Sequence, residues 1–244
     1  MTSPDNLHYV EGELNYLVPM PERPRYYAYD AGPEAPPTNM AHEAHTVRIH
    51  DMRPISSEAA LDRQGFALVE QRTAVRDFWD EDEVRRVYYP EAERFIAEVT
   101  GASRVVIFDH LQRRRVPGAT RRAPGVPPLP ATRVHVDHTA KSGPQRVRDL
   151  LPEDAEELLR GRVQVINLWR PIHGPLQDAP LAMCDARTID PADLVPSDLV
   201  YRHRVGETYS VTYNPAHFVL VPEVANRSAL LDEREALPVE CRFR

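Results

Sequence analysis

The sequence predicts a mainly β fold with flanking helices, and three observations lead to this prediction. Prolines number 24 in 244 residues and are spread along the chain, which excludes long helices and suits short strands joined by fixed turns. Helices and a few strands come first, with the clearest helical pattern at residues 80–99. A run of short apolar segments separated by turn residues follows. This order favours an all-β sandwich or barrel core with helices packed outside.

The first half of the chain predicts extended segments around one helical region. The expected strands of this half are residues 14–29, 46–50, 65–69 and 104–109. Asp80 is a candidate N-cap for the helical stretch, with Glu83 three residues later as its capping-box partner. Because proline lacks the N–H that a helix interior requires, we expect two helices that meet at Pro90.

The second half predicts a loop followed by the core. Residues 111–130 are rich in Arg, Gly and Pro and lack periodicity, which predicts a long mobile loop of the kind that often acts as a lid. A short acidic helix is expected at residues 152–160. The expected strands are residues 134–139, 163–169, 181–185 and 208–213. We therefore expect a single domain over residues 1–244, with flanking elements at 1–110 and a β core at 131–244.

Charge and cysteine content exclude several classes of protein. The formal net charge of -7 argues against a nucleic-acid-binding protein, which would carry a basic face. Two cysteines, Cys184 and Cys241, exclude a disulfide framework and indicate a reducing compartment. The first 13 residues lack the pattern of a signal peptide, and no apolar run approaches the roughly 20 residues that cross a bilayer. We expect a cytoplasmic protein with no membrane partner.

The segment Arg133-Val-His135-Val-Asp137-His138-Thr139 contains the strongest candidate for chemistry. On a strand, His135 and Asp137 are two residues apart and point to the same face, whereas His138 faces away. An imidazole and a carboxylate on one face can supply two of the three ligands of a facial triad, which leaves open positions on Fe(II). An H-x-D pair alone is a weak signal, because hydrogen-bonded His–Asp pairs are also common structural features.

A third ligand has to come from a distant part of the chain. His217 is the best placed downstream histidine, since it follows the expected strand at 208–213 and opens an apolar run. A half-buried histidine that bonds to the backbone is an equally good interpretation of His217. Arg227 and Arg234 are the arginines available to hold the distal carboxylate of an oxo-acid through a bidentate pair.

Several longer stretches resemble one family of non-haem iron oxygenases. The matching stretches are LNYLVPM (14–20), LDRQGFALV (61–69), HVDHTAKSGPQRVRDLLP (135–152), INLWRPIHGPLQDAPLAMCDA (166–186) and YRHRVGETYSVTYNPAH (201–217). The family resembles the small subunit of the cephem methoxylase system, gibberellin-desaturase-like proteins and fungal meroterpenoid oxygenases. The resemblance implies a distorted double-stranded β-helix (a jelly roll, cupin-like fold), Fe(II), 2-oxoglutarate, and hydroxylation or desaturation of a small molecule.

The resemblance also assigns roles to individual residues. His135 and Asp137 fall on the family's metal ligands, and Thr139 matches a threonine two residues further on, which makes it a candidate for cofactor binding. The strand that lines the family's cavity corresponds to Asn167, Trp169 and Arg170.

The resemblance ends at His217, after which the chain contains no further histidine. Three interpretations stay open: His217 and Arg227 replace the family's distal residues, the protein has lost iron chemistry, or an internal segment is missing. The leading hypothesis is a dioxygenase of natural-product biosynthesis. The alternative is a catalytically impaired member that serves as a binding or regulatory protein. We expect a small-molecule partner and no nucleic acid, and leave a homodimer open.

Overall fold

A computed structural model describes residues 7–29, 32, 36–114, 116, 118, 127–172 and 180–221, and the backbone of residues 236–243. The chain divides into two compact units, each assembled from three separate stretches. The first unit comprises Met1–Val69, Ala131–Ser142 and Pro180–Val224. The second unit comprises Glu70–Pro130, Gly143–Ala179 and Ala225–Arg244.

Eleven strands and four α-helices lie in the described part of the chain. The strands are β1 (Tyr9–Leu17), β2 (Arg25–Tyr27), β3 (His42–Asp51), β4 (Ile107–His110), β5 (His135–Val136), β6 (Gln164–Pro171), β7 (Met183–Cys184), β8 (Leu194–Val200), β9 (Val205–Val211), β10 (Val219–Val221) and β11 (Ala236–Phe243). The helices are α1 (Glu81–Glu83), α2 (Tyr89–Thr100), α3 (Ser142–Leu150) and α4 (Ala155–Leu158), with short 3-10 turns at Arg53–Glu58, Ala186–Thr188 and Pro191–Asp193.

The first unit contains two four-stranded sheets. One has the order β1-β3-β10-β7, in which β10 is parallel to β3 and antiparallel to β7. All three residues of β10 are buried, as expected for a short apolar strand paired on both sides. Leu220 of this strand packs with Leu7, Met52 and Phe66 in a core cluster.

The other sheet of the first unit has the order β2-β8-β9-β5. Strands β8 and β9 form an antiparallel pair over seven residues, and β5 lies against the opposite edge of β9. A parallel bridge between Leu17 and Thr212 links the end of β1 to the residue that follows β9. Strand β9 is thus the central element from which β5 is positioned.

The second unit combines a three-stranded sheet, β4-β11-β6, with the main helical segment. Its core cluster contains six buried residues: Phe78, Val84, Tyr88, Ala92, Ile96 and Ile107. Ile166 and Leu168 of β6 pack against this cluster, which defines one face of the strand as the side that faces the helices.

The helical segment bears out part of its sequence prediction. Asp80 caps α1, because its carboxylate accepts hydrogen bonds from the N–H groups of Asp82 and Glu83. Glu83 is not the capping-box partner, since its carboxylate accepts instead from Arg76 N and Asp77 N further back. A π-helical turn at Val84–Tyr88 leads directly into α2, so Pro90 marks an irregular turn of a continuous helix rather than a break.

Other elements differ from the sequence predictions in instructive ways. The strand expected at residues 65–69 is wrong: Phe66 is buried in the core, but Leu68 and Val69 are exposed and the segment pairs with nothing in a sheet. The strand expected at 134–139 is reduced to two paired residues, and α3 follows it. The loop expected at 111–130 lies in large part outside the described residues.

Among the described residues, no helix has the length and apolar character needed to cross a membrane.

Candidate metal centre

The approach to His135 is fixed by hydrogen bonds from two strands. The side-chain amide of Asn15 donates to the carbonyl oxygen of Thr132 at 2.6 Å, and Asn15 O accepts from Val134 N at 2.9 Å. His135 itself lies opposite Ser210 of β9 in the antiparallel register of β5. The backbone at His135 is therefore tied to β1 on one side and to β9 on the other.

His135 and Asp137 lie together, as the sequence predicts for residues two apart. His135 Nε2 is 3.2 Å from Asp137 Oδ1, and the two side chains are 25% and 42% exposed. Both groups are thus accessible from solvent while remaining anchored through the backbone. An accessible imidazole and carboxylate that converge on one point can bind a divalent cation.

The hydrogen bond of the other ring nitrogen, Nδ1, determines which nitrogen of His135 carries the proton. His135 Nδ1 is 2.9 Å from the carbonyl oxygen of Arg133, which can only accept, so Nδ1 carries the proton in this contact. In the neutral ring, Nε2 then presents a lone pair to a carboxylate oxygen, and two acceptors at 3.2 Å repel each other. A cation bound to both atoms removes this repulsion. Metal-binding histidines characteristically donate the other N–H to a backbone carbonyl, as His135 does.

Thr139 has a different environment from the one expected for a cofactor-binding residue. Its side chain is buried, with 5% of the residue exposed. The hydroxyl donates to Glu207 Oε1 at 2.6 Å and accepts from the N–H groups of Lys141 and Ser142 in the turn that leads into α3. Three protein partners thus occupy this hydroxyl, which favours a structural role over contact with a co-substrate.

Glu207 joins Thr139 to an ion-pair network on the same sheet. Its other oxygen, Oε2, pairs with the Arg23 guanidinium, whose Nε donates to Asp198 Oδ1 at 2.7 Å. The Thr139 hydrogen bond has the largest effect and lowers the pKa of Glu207. Burial opposes it, and the Arg23 guanidinium adds to the lowering, so that the pKa lies below its ordinary value. Glu207 is therefore a carboxylate at neutral pH and accepts on both of its oxygens.

His217 lies in a closed cluster of the first unit rather than in an open site. Its side chain is 2% exposed, and its Nε2 is 3.1 Å from Asp193 Oδ2, which also accepts from Asn214 Nδ2 at 2.9 Å. The ring of Tyr16 stacks on the imidazole with centroids 5.8 Å apart. Burial, with Cys184 and Tyr213 as lesser contributors, raises the pKa of Tyr16 to about 12, so this wall of the cluster is an uncharged phenol.

The structure brings together two of the three candidate ligands. No group of three or more His, Cys, Asp and Glu side chains in the described ranges is arranged to hold a metal ion, although His135, Asp137 and His217 all fall in those ranges. The pair thus fits two positions of a facial triad, and His217 does not complete it. Arg227 and Arg234, the candidates for the co-substrate carboxylate, lie outside the described residues.

The three cavity candidates lie on β6 in the second unit, but not all on one face. Arg170 points to the side of the helices, because its guanidinium lies over the rings of Phe78 and Tyr88. Strand alternation therefore places Asn167 and Trp169 on the opposite face. Arg170 also lines a cavity of about 250 Å³ in this unit, whose wall includes Phe78. Asn167 and Trp169 do not line that cavity.

Comparison with known proteins shows which family carries these features. The family model described as the oxidoreductase/YMDC permease-like domain matches residues 14–231. The chain belongs to this oxidoreductase family.

Two curated relatives illustrate the family. The hydroxylase/desaturase efuI of Hormonema carpetanum is 32% identical over 200 residues, which cover 74% of this chain and 67% of the relative. The Fe(II)/2-oxoglutarate-dependent dioxygenase nvfI of Aspergillus novofumigatus is 33% identical over 176 residues, which cover 70% of this chain and 62% of the relative. The chain spans 67% and 62% of the length of these two relatives, and 52% of the length of a third, the oxidoreductase AN1597 of Emericella nidulans.

A solved structure extends the likeness to the fold. The iron and alpha-ketoglutarate-dependent endoperoxidase NvfI superimposes with a TM-score of 0.83 at 25% identity, covering 96% of this chain and 97% of that one. The predicted fold class, mainly β and of the double-stranded β-helix kind, is confirmed by this match. Among the residues that the structure describes, each of the three sheets has an open strand order.

Sequence reasoning did not identify the residues that surround the predicted site. Glu207 lies 68 positions from Thr139, and Asp193 lies 24 positions from His217. Glu207 falls in the family-like stretch at 201–217, but nothing in that stretch pairs it with Thr139, and Asp193 falls in none of the matching stretches. The register of β5 and β9 would have been needed to bring Glu207 towards Thr139, and β5 is only two residues long.

Proposed function

We propose that the chain is an Fe(II)- and 2-oxoglutarate-dependent oxygenase that hydroxylates or desaturates a small organic molecule. The single observation that carries this proposal is the His135–Asp137 pair, in which two metal-binding atoms face each other at 3.2 Å. The names of the relatives support the class of reaction and both cofactors. A substrate from secondary metabolism fits the same relatives.

The described residues of the chain account for part of the metal site. His135 would bind the iron through Nε2, because Nδ1 is occupied by Arg133 O, and Asp137 would bind through its carboxylate. Iron held in this way supplies the oxidation of an unactivated C–H bond coupled to decarboxylation of 2-oxoglutarate to succinate. The protein orients the two ligands through β9 and keeps His135 in one tautomer. His217 is held by Asp193 and is not grouped with this pair, which favours a third ligand other than His217.

The remaining assignments follow from the resemblance and stay predictions. Arg227 or Arg234 would hold the distal carboxylate of 2-oxoglutarate through a bidentate pair. Asn167 and Trp169 would contact the substrate from one face of β6, and Arg170 would act from the cavity on the other face. The cytoplasmic location rests on cysteine usage, and a homodimer is left open.

The alternative, an impaired member that acts as a binding protein, makes a different prediction about co-substrate turnover. We expect the purified protein, supplied with Fe(II), 2-oxoglutarate and O2, to release succinate above a control that contains Zn(II) instead of Fe(II). Slow succinate release without substrate is the expected result, because many such reactions run uncoupled. Succinate formation that is equal with Fe(II) and Zn(II) at every protein concentration would favour the binding protein.

A further inference from the structure

The turn that carries Asp137 is held at both ends by one strand. At its beginning, His135 and Val136 pair with Ser210 and Tyr209 of β9. At its end, the Thr139 hydroxyl donates to Glu207, two residues earlier on the same strand. Asp137 lies between these two attachments, so its position relative to His135 depends on both.

Thr139 also closes the turn on itself. Its backbone N–H donates to Ser142 Oγ at 2.8 Å, while Ser142 N donates to Thr139 Oγ1 at 3.0 Å. This reciprocal arrangement resembles a capping box and closes the turn at residues 139–142 that leads into α3. The hydrogen bond to Glu207 is the side-chain link from this capped turn to β9.

Glu207 is itself held in place by charge. It lies directly opposite Asp198 in the register of β8 and β9, where two carboxylates repel each other. Arg23 bridges them by pairing with both, and this fixes the Glu207 carboxylate with one oxygen left for Thr139. A path of ordered contacts therefore runs from Arg23 through Glu207 to the turn next to Asp137.

We propose that Glu207, acting through the Thr139 hydroxyl, is a positioning residue that holds Asp137 at the metal-binding distance from His135. The proposal rests on the proposed function, because it assumes that these two residues bind the metal. Neither Glu207 nor Thr139 touches the metal in this arrangement. Their contribution is to prevent the Asp137 carboxylate from turning away from the imidazole when the metal is absent.

The test measures the affinity for Co(II), followed by its visible absorption, in variants of the turn. Thr139→Val removes the hydroxyl at nearly constant size, and we expect it to weaken Co(II) binding about tenfold, the range typical of residues that orient metal ligands. Thr139→Ser keeps the hydroxyl and should retain affinity within about twofold of the wild type. Glu207→Gln leaves one acceptor oxygen for the two donors, Thr139 and Arg23, so we expect it to weaken Co(II) binding as well.

A double variant tests whether both residues act along one path. If Glu207 acts only through Thr139, the Thr139→Val/Glu207→Gln protein binds Co(II) no more weakly than Thr139→Val alone. Affinity losses that multiply in the double variant would overturn the proposal. If Thr139→Val does not fold, as judged by circular dichroism, Glu207→Gln decides: wild-type affinity in that variant overturns the proposal.

Matched controls separate positioning from a general loss of stability. Thr188→Val removes a hydroxyl of the first unit that also bonds to backbone groups, and Asp51→Asn alters a buried carboxylate that pairs with Arg53. Both should lower stability and leave Co(II) affinity unchanged. If they weaken Co(II) binding as much as Thr139→Val, the proposal is overturned.

If His135→Ala binds Co(II) as well as the wild type, the proposed function fails. If it loses binding while Thr139→Val does not, only the positioning role fails.

Discussion

Replacing His135 or Asp137 with alanine is expected to weaken Fe(II) binding by more than about 100-fold and to abolish succinate release. Removal of a residue that merely orients a metal ligand costs about 10–100-fold, and removal of the ligand itself should cost more. Each variant leaves one of the two facing groups, which cannot hold the cation alone. Anaerobic equilibrium dialysis with Fe(II), followed by a succinate assay, measures both effects.

A neighbouring histidine serves as the control for this prediction. His138 lies between Asp137 and Thr139 in the chain. Its Nδ1 is 3.3 Å from Ser142 Oγ, so the ring contacts the turn before α3 and not the His135–Asp137 pair. His138→Ala should therefore keep Fe(II) affinity within a few-fold of the wild type. If His135→Ala keeps full iron occupancy, the metal lies elsewhere. The same conclusion follows if His135→Ala and His138→Ala lose equal amounts of Fe(II) affinity.

Replacing His217 with alanine is expected to lower the free energy of unfolding by about 2–6 kcal/mol without changing Fe(II) affinity. The substitution leaves a cavity beside Tyr16 and removes one partner from the Asp193 carboxylate, and each effect costs about 1–3 kcal/mol. Metal binding should be unaffected because His217 does not lie in a group with His135 and Asp137. Urea unfolding and Fe(II) dialysis on the same preparation measure the two quantities.

An exposed histidine provides the comparison for this effect. His203 lies between β8 and β9 with its side chain in solvent, so His203→Ala should change the free energy of unfolding by no more than about 0.5 kcal/mol. A loss of Fe(II) affinity in His217→Ala as severe as that in His135→Ala would show that His217 is a ligand after all. A loss of stability no greater than that of His203→Ala would contradict the role of the Asp193 cluster.

Local patterns in the sequence predicted several elements of this structure because the cause of each lies within a few residues. Asp80 caps its helix through neighbouring N–H groups, and His135 and Asp137 lie close together as their spacing of two residues predicts, although only His135 belongs to a strand and Asp137 lies in the turn that follows. The apolar run at residues 65–69 was misleading because only Phe66 is buried, inside a cluster formed with distant residues. Its burial depends on tertiary packing and not on a strand.

The surroundings of the candidate site were beyond sequence reasoning for the same reason. Thr139 matches a threonine of the family, but its hydrogen bond to Glu207 depends on the register in which β5 pairs with β9. The sequence allowed His217 to be either a metal ligand or a histidine that is hydrogen-bonded within the protein. Which of the two it is depends on Asp193, whose position is set by the turn that precedes β8. Contacts between residues far apart in the chain decide both roles.

The most direct test of an iron site built on His135 and Asp137 is an anaerobic titration of the protein with Fe(II) in the presence of 2-oxoglutarate. Chelation of the metal by the oxo-acid gives a charge-transfer absorption in the visible range. We expect this band to require both Fe(II) and 2-oxoglutarate, to saturate at one iron per chain, and to be absent in His135→Ala. Absence of the band in the wild-type protein at saturating concentrations of both, or a band of equal strength in His135→Ala, would contradict the assignment.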